Sequence, residues 1–197
     1  IHYMDAHEPY IPYNPNLFIA YKYRQIEDKI KYNKQLSADE IQWAFNWYRD
    51  AILAIDKSIG FLLSRLEEMN ITFDNTIFIL TSDHGQEFFE HGIFGHGLHL
   101  YDELVHVPLI IAGPEFSTSV VSQQISLIDL PNTILGILGL HEHVPKNYLG
   151  KDLSRYLKDS KPEIPSYPSI SEEGVKSRRS ALNMKSRIIK LDLRYRK

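Results

Sequence analysis

The chain predicts an α/β domain whose sheet is mostly parallel and flanked by helices. Three observations carry that expectation. Short apolar strands alternate with helical patterns along the 197 residues. The runs 76–81 and 107–112 are apolar on both alternating faces, as strands covered on both sides must be. The polar residues able to do chemistry cluster just past strand ends, where open α/β sheets bind ligands.

Taken in order, residues 1–4 read as a short strand ending in Asp5-Ala6-His7-Glu8. Pro9, Pro12 and Pro15 forbid regular helix or central strand, so residues 8–20 are expected to be a loop. Ser37 followed by Glu40 spells a capping box that starts a long helix. Its stripe of Ile41, Ala44, Phe45, Tyr48, Ile52, Ile55, Ile59, Leu62, Leu63, Leu66 and Met69 is expected to face a core. Trp43 and Trp47, four residues apart on a flanking face, read as packing against a neighbour rather than as a ligand platform.

After the turn at Asp74-Asn75 comes the strand 76–81, and then Ser82-Asp83-His84-Gly85. The strand 107–112 stops at Gly113-Pro114. Asp129 and Pro131 open a helix that runs to about Gly139. Beyond it, residues 141–166 are looser, with a short helix near 152–157, and the tail offers strands at 167–172, 179–184 and 187–192. The division expected is 1–160 for the α/β part and 161–197 for terminal antiparallel strands.

Composition excludes several classes. A net charge of −3 is wrong for a general nucleic-acid binder, and the basic stretch Lys176 to Arg179, with Lys185, Arg187 and Lys190, reads as a solvated strand face. No run reaches the roughly 18 to 20 apolar residues of a membrane span. Without cysteine there is neither a disulfide framework nor a thiolate zinc site; the compartment stays open. The start, Ile1-His2-Tyr3-Met4-Asp5, resembles no signal peptide and reads as a piece of something longer.

Chemistry points to three places. Asp83 and His84 can share one metal if the backbone turns sharply after the strand, for which Gly85 is suited. Such a pair leans towards Mn, Fe or Zn, whereas an all-oxygen shell favours Ca or Mg; the competing reading has Asp83 capping a helix and His84 packing. His84, His91, His96 and His99, interleaved with Gly85, Gly92, Gly95 and Gly97, suggest a flexible active-site loop. No H-E-x-x-H or inverse motif is present, so a zinc-protease reading is rejected. His7 can donate to an anionic ester oxygen or protonate a leaving group, or simply bond a loop carbonyl.

The run Thr81-Ser82-Asp83-His84-Gly85-Gln86-Glu87, with Glu90-His91-Gly92, Gly95-His96-Gly97, Leu100-Tyr101-Asp102-Glu103 and Val107-Pro108-Leu109-Ile110-Ile111, resembles the late signature of the sulfatase family. So, in the family's order, do His7-Glu8-Pro9-Tyr10, the Ser126 to Leu140 helix, Asn147 to Leu153, and the tail segments Ser171-Glu172 and Arg178 to Leu182. The resemblance implies an alkaline phosphatase-like fold, here an incomplete domain, in a protein that hydrolyses sulfate esters.

It further implies Asp83 and His84 as metal ligands, His7 and His96 as catalytic and substrate-binding residues, and Glu90 and His91 as organisers of the loop. The implied cofactors are one divalent metal, Ca2+ or Mn2+ with Zn2+ next, and a formylglycine nucleophile in a half missing here. The family's C/S-x-P-x-R nucleophile motif is absent; Ser166-Tyr167-Pro168-Ser169-Ile170 lacks the Arg and reads as coincidence. This chain alone is therefore expected to bind metal weakly and to turn nothing over. Its implied partner is a small-molecule or glycan sulfate ester, with no nucleic acid, and its uncovered edges favour self-association. Two alternatives stay open: a phosphodiesterase, phosphonate hydrolase or phosphoethanolamine-type transferase using the same residues, and a non-catalytic metal- or anion-binding module.

Overall fold

The computed structural model describes residues 1–10, 17–32, 34–97, 99–160, 162–165, 169–174 and 187–192. In chain order the elements are α1 (Leu17–Lys31), α2 (Ala38–Glu68), β1 (Phe78–Thr81), β2 (Glu87–Phe88), β3 (Phe94–Gly95), α3 (Asp102–Val105), β4 (Leu109–Ala112), α4 (Asp129–Ile137), β5 (Ser169–Gly174) and β6 (Arg187–Asp192). They form two compact units: Ile1–Thr72 with Gly85–His96, and Phe73–His84 with Gly97–Lys197.

The first unit is two helices and a hairpin. At the start of α2 the expected capping box is present: Ser37 Oγ accepts from the Glu40 N–H at 3.3 Å, and the Glu40 carboxylate accepts from the Ser37 N–H at 2.9 Å. Glu40 also receives the Lys29 ammonium at 2.6 Å, which ties the end of α1 to the start of α2. Lys29 and Lys31 in the last turn of α1 complement its dipole.

Helix α1 begins inside the stretch expected to be a loop. The three prolines stop short of it, and Ile19, Tyr23, Ile26 and Ile30 recur at helical spacing and pack on the core of this unit. Tyr23 meets Trp47 with ring centroids 5.2 Å apart, and Phe18 meets Trp43 at 6.0 Å. The two tryptophans are packing residues, as expected. The core is Tyr10, Ile26, Leu36, Ala44, Trp47 and Phe88.

At its N-terminal half the apolar stripe of α2 packs on this core through Ile41, Ala44 and Tyr48, while Phe45 is partly exposed. Further along, Ile52 and Met69 of the stripe are exposed while Ile55, Ile59, Leu62, Leu63 and Leu66 are half-buried; Phe61, off the stripe, is 70% exposed. Residues 1–4 form no strand ladder, since none of the described strands pairs with them.

In the second unit β1 and β4 pair antiparallel, Phe78 opposite Ala112 and Thr81 opposite Leu109. All three sheets among the described residues are antiparallel pairs, so the expected mostly parallel arrangement is not what they show. The reason lies in the connection from β1 to β4. It holds a hairpin and the one-turn helix α3 instead of the crossover helix that a parallel return requires.

Helix α4 starts at Asp129, as predicted, and is clasped by residues 148–153. Asp129 accepts from the N–H groups of Ser126 (2.9 Å) and Lys151 (2.8 Å). Thr133 Oγ1 donates to the Asp129 carbonyl (2.8 Å) and accepts from Leu153 N–H (3.1 Å). Asn132 donates to the Gly150 carbonyl, and Tyr148 to that of Ile128 at 3.0 Å. Glycine is needed at Gly150, where the two segments touch at the backbone. A Cβ at Gly136 would collide with the Asp152 carboxylate, and one at Gly150 with the Ile128 carbonyl.

A 3-10 turn at Ser154–Tyr156 occupies the place of the expected short helix. In the tail, β5 and β6 pair antiparallel. The strand expected at 179–184 and the basic stretch 176–179 lie outside the described residues, as do Ser166, Tyr167 and Pro168. No helix among the described residues is long and apolar enough to cross a membrane.

Candidate active site

The histidine-rich segment is a packed hairpin rather than a loose loop. Glu87 pairs with Gly95 and Phe88 with Phe94, and the chain turns between them with Phe89 at φ 71° and Gly92 at 84°. Aromatic packing explains the order. Phe88 is buried against Phe94 (5.3 Å), Tyr48 (5.2 Å) and Phe45 (5.5 Å), and its ring lies 6.2 Å from Tyr10. Edge-to-face rings at such spacings contribute about 0.5–1.5 kcal/mol each beyond the area they bury.

The segment around His7 runs along this hairpin. Tyr10 lies against Phe88, and the His7 ring meets His96 edge-on with centroids 4.9 Å apart and planes at 75°. Two histidines 89 positions apart thus share one place. His7 Nδ1 sits 2.5 Å from the Glu8 carbonyl; a carbonyl oxygen only accepts, so Nδ1 carries the proton. His96 Nδ1 faces Gln86 Oε1 at 3.1 Å.

Glu90 and His91 sit at the tip of the hairpin. The Glu90 carboxylate accepts from the Phe88 N–H at 2.5 Å, and His91 Nδ1 is 3.2 Å from Glu87 Oε1. Glu87 is 1% exposed. Burial, with the Glu8 charge next, raises the Tyr10 hydroxyl well above the usual phenol range. That phenol stays protonated at neutral pH and is no nucleophile.

Asp83 and His84 belong to the other unit and come directly after the end of β1. Asp83 Oδ1 accepts from the His84 N–H at 3.1 Å, while Ser82 Oγ donates to the His84 carbonyl at 2.6 Å. These bonds accompany a bend at Asp83, and no helix begins there, so Asp83 caps none. The pair offers one oxygen and one nitrogen donor. No group of three or more acidic or histidine side chains able to hold a metal occurs among the described residues. In the same unit the His99 and Tyr101 rings lie 5.0 Å apart.

Three residues to which the sequence assigns no role turn out to be part of this arrangement: Gln86, Glu87 and Glu8. The carboxylate oxygens of Glu8 lie 3.7 Å from where a Cβ on Gly95 would be. The signal that could have found Gln86 is the hairpin register. Phe88 opposite Phe94 implies Gln86 opposite His96.

A family model described as Sulfatase matches residues 1–140. The N-acetylglucosamine-6-O-sulfatase of Bacteroides thetaiotaomicron is 36% identical over 125 residues, which is 60% of this chain and 22% of that protein. Arylsulfatase K of Xenopus laevis is 35% identical over 117 residues, 59% of this chain and 21% of that one. Among solved structures, the phosphonate monoester hydrolase of Silicibacter pomeroyi superposes with a TM-score of 0.65 at 27% identity, covering 74% of this chain and 28% of its own. The chain spans about a fifth of the length of these curated relatives.

Proposed function

Because the chain belongs to the sulfatase family, we propose that it supplies the ester-facing histidines and two metal ligands of a sulfuric ester hydrolase. The observation that carries this reading is the His7–His96 pair, two imidazoles brought ring to ring and each tied at Nδ1 to an acceptor. Such a pair can bind the oxygens of an anionic ester and deliver a proton to the departing one. A sulfated sugar is the substrate class suggested by the N-acetylglucosamine-6-O-sulfatase relative.

Asp83 and His84 suit two positions of a divalent metal shell, one hard oxygen and one imidazole nitrogen; the remaining ligands come from residues outside this chain. When bound, the metal would lower the pKa of the nucleophile and offset charge on the transferred group. The nucleophile also comes from elsewhere, a formylglycine by family precedent, since the chain has no C/S-x-P-x-R motif. On this reading residues 1–160 belong to the catalytic α/β domain, residues 161–197 form its terminal strands, and Glu90 and His91 shape the hairpin tip.

A second reading has a specific observation in its favour. The phosphonate monoester hydrolase likeness is at 27% identity, enough to keep phosphonate or phosphate esters in play. Assaying the intact gene product on an aryl sulfate, N-acetylglucosamine 6-sulfate and an aryl phosphonate monoester separates the two. The sulfatase reading requires sulfate turnover that chelation abolishes and that falls by about 100-fold in His96→Ala, the scale of a lost proton-transfer or charge-binding group. Preference for the phosphonate would install the second reading, and no turnover of any of them would leave a binding module.

A further inference from the structure

We propose that Gln86 is a positioning residue for His96, holding its Nδ1–H so that Nε2 is the atom offered to an anionic ester oxygen. This rests on the reading of His96 as a substrate contact. The hairpin sets the geometry. Glu87 faces Gly95 and Phe88 faces Phe94, so the next cross-strand pair outward is Gln86 with His96. Side chains two apart share a face, which puts this pair on the Phe88–Phe94 side. The ring stack of Phe88 and Phe94 at 5.3 Å therefore anchors the neighbouring polar pair.

Burial makes Gln86 an unusual choice for a merely structural position. The residue is 9% exposed, Oε1 is 3.1 Å from His96 Nδ1, and Nε2 is buried with no hydrogen-bond partner among the described residues. Leaving an amide half satisfied costs stability, and a hydrophobic residue would avoid that cost. The same hairpin shows the alternative device, because His91 is faced by the buried carboxylate of Glu87. A carboxylate beside His96 would repel an anionic substrate. An amide oxygen orients the ring without adding charge.

The test uses the intact gene product with 15N-labelled histidine. Wild type is expected to show His96 protonated at Nδ1. Gln86→Met keeps length and removes the acceptor. It should lose that signature and lower kcat/KM for the sulfate ester by about 10-fold, the scale for an orienting partner of a functional histidine. Gln86→Glu should keep the Nδ1–H signature while raising KM, because it restores the acceptor and adds charge; it also carries the test if the Met variant folds poorly. A wild-type His96 protonated at Nε2 would overturn the proposal, since the amide would then be donating. So would a Met variant with unchanged signal and kcat/KM. If His96→Gln leaves activity intact, the parent reading falls, and the nitrogen signature still reports on the positioning by itself.

Discussion

Asp129, Asn132 and Thr133 are buried as deeply as Gln86 and Glu87, yet the two sets keep different company. Around α4 each polar side chain is answered by backbone from the same unit: Ser126, Lys151, Leu153 and Gly150 supply the partners. In the hairpin, buried polar groups point at other side chains, Gln86 at His96 and Glu87 at His91, and the Gln86 amide nitrogen has no hydrogen-bond partner among the described residues. Side chains that satisfy backbone fix a fold. Side chains that orient a histidine would, on the reading proposed for His96, fix a reacting group. Burial alone does not separate these roles; the identity of the partner does.

The comparison can be broken most severely at Phe88. Phe88→Ala removes the ring on which Tyr10, Phe45, Tyr48 and Phe94 converge, and should cost about 3–5 kcal/mol in denaturant unfolding. Activity should fall with it, because His96 rides on the same face. Asp129→Ala sharpens the contrast. It strands two backbone N–H groups and should cost about 2–4 kcal/mol, while kcat per folded molecule stays at the wild-type value. A drop in kcat there would dissolve the distinction between the two regions.

Gly95→Ala comes next. The backbone φ of 109° suits glycine and penalises a side chain, so about 1–2 kcal/mol should be lost, visible as a lower melting temperature. Since the added Cβ would meet Glu8 at ordinary contact distance, the loss should come from the backbone and not from a clash. The smallest effect lies outside both regions. Hydrogen bonds from Lys29 and the Ser37 backbone hold the Glu40 carboxyl below its usual range. Its contribution is present above the ordinary glutamate pKa and is lost as pH falls through the depressed native value. Glu40→Gln should therefore cost about 0.5 kcal/mol at neutral pH and nothing in acid, as paired unfolding curves would show.

Legibility in the sequence followed the range of each interaction. The capping box of α2 and the start of α4 are local chemistry and were readable. Helix α1 was readable too, from Ile19, Tyr23, Ile26 and Ile30, but the prolines before it drew the loop too far. The direction of the β1–β4 pairing is not written in either strand; it depends on what fills the connection. The order of the 86–96 segment was hidden because glycines and histidines look like a loose loop, whereas Phe88 and Phe94 decide the outcome through rings contributed by α2. His7 and His96 were each named through family resemblance, and their contact is a tertiary fact across the chain. The exposure of Ile52 and Met69 within the α2 stripe is likewise beyond periodicity, which identifies an apolar face without saying what covers it.

The hairpin register carries one more consequence, for how this stretch can vary. Opposed positions sum to a constant, 87 with 95 and 88 with 94. One residue inserted or deleted between Phe88 and Phe94 would turn His96 to the opposite side of the strand, away from His7 and Gln86. Surface turns ordinarily accept changes of length more readily than the elements they join. This one acts as a spacer of set size, so residues 89–93 can drift in identity while their number stays at five.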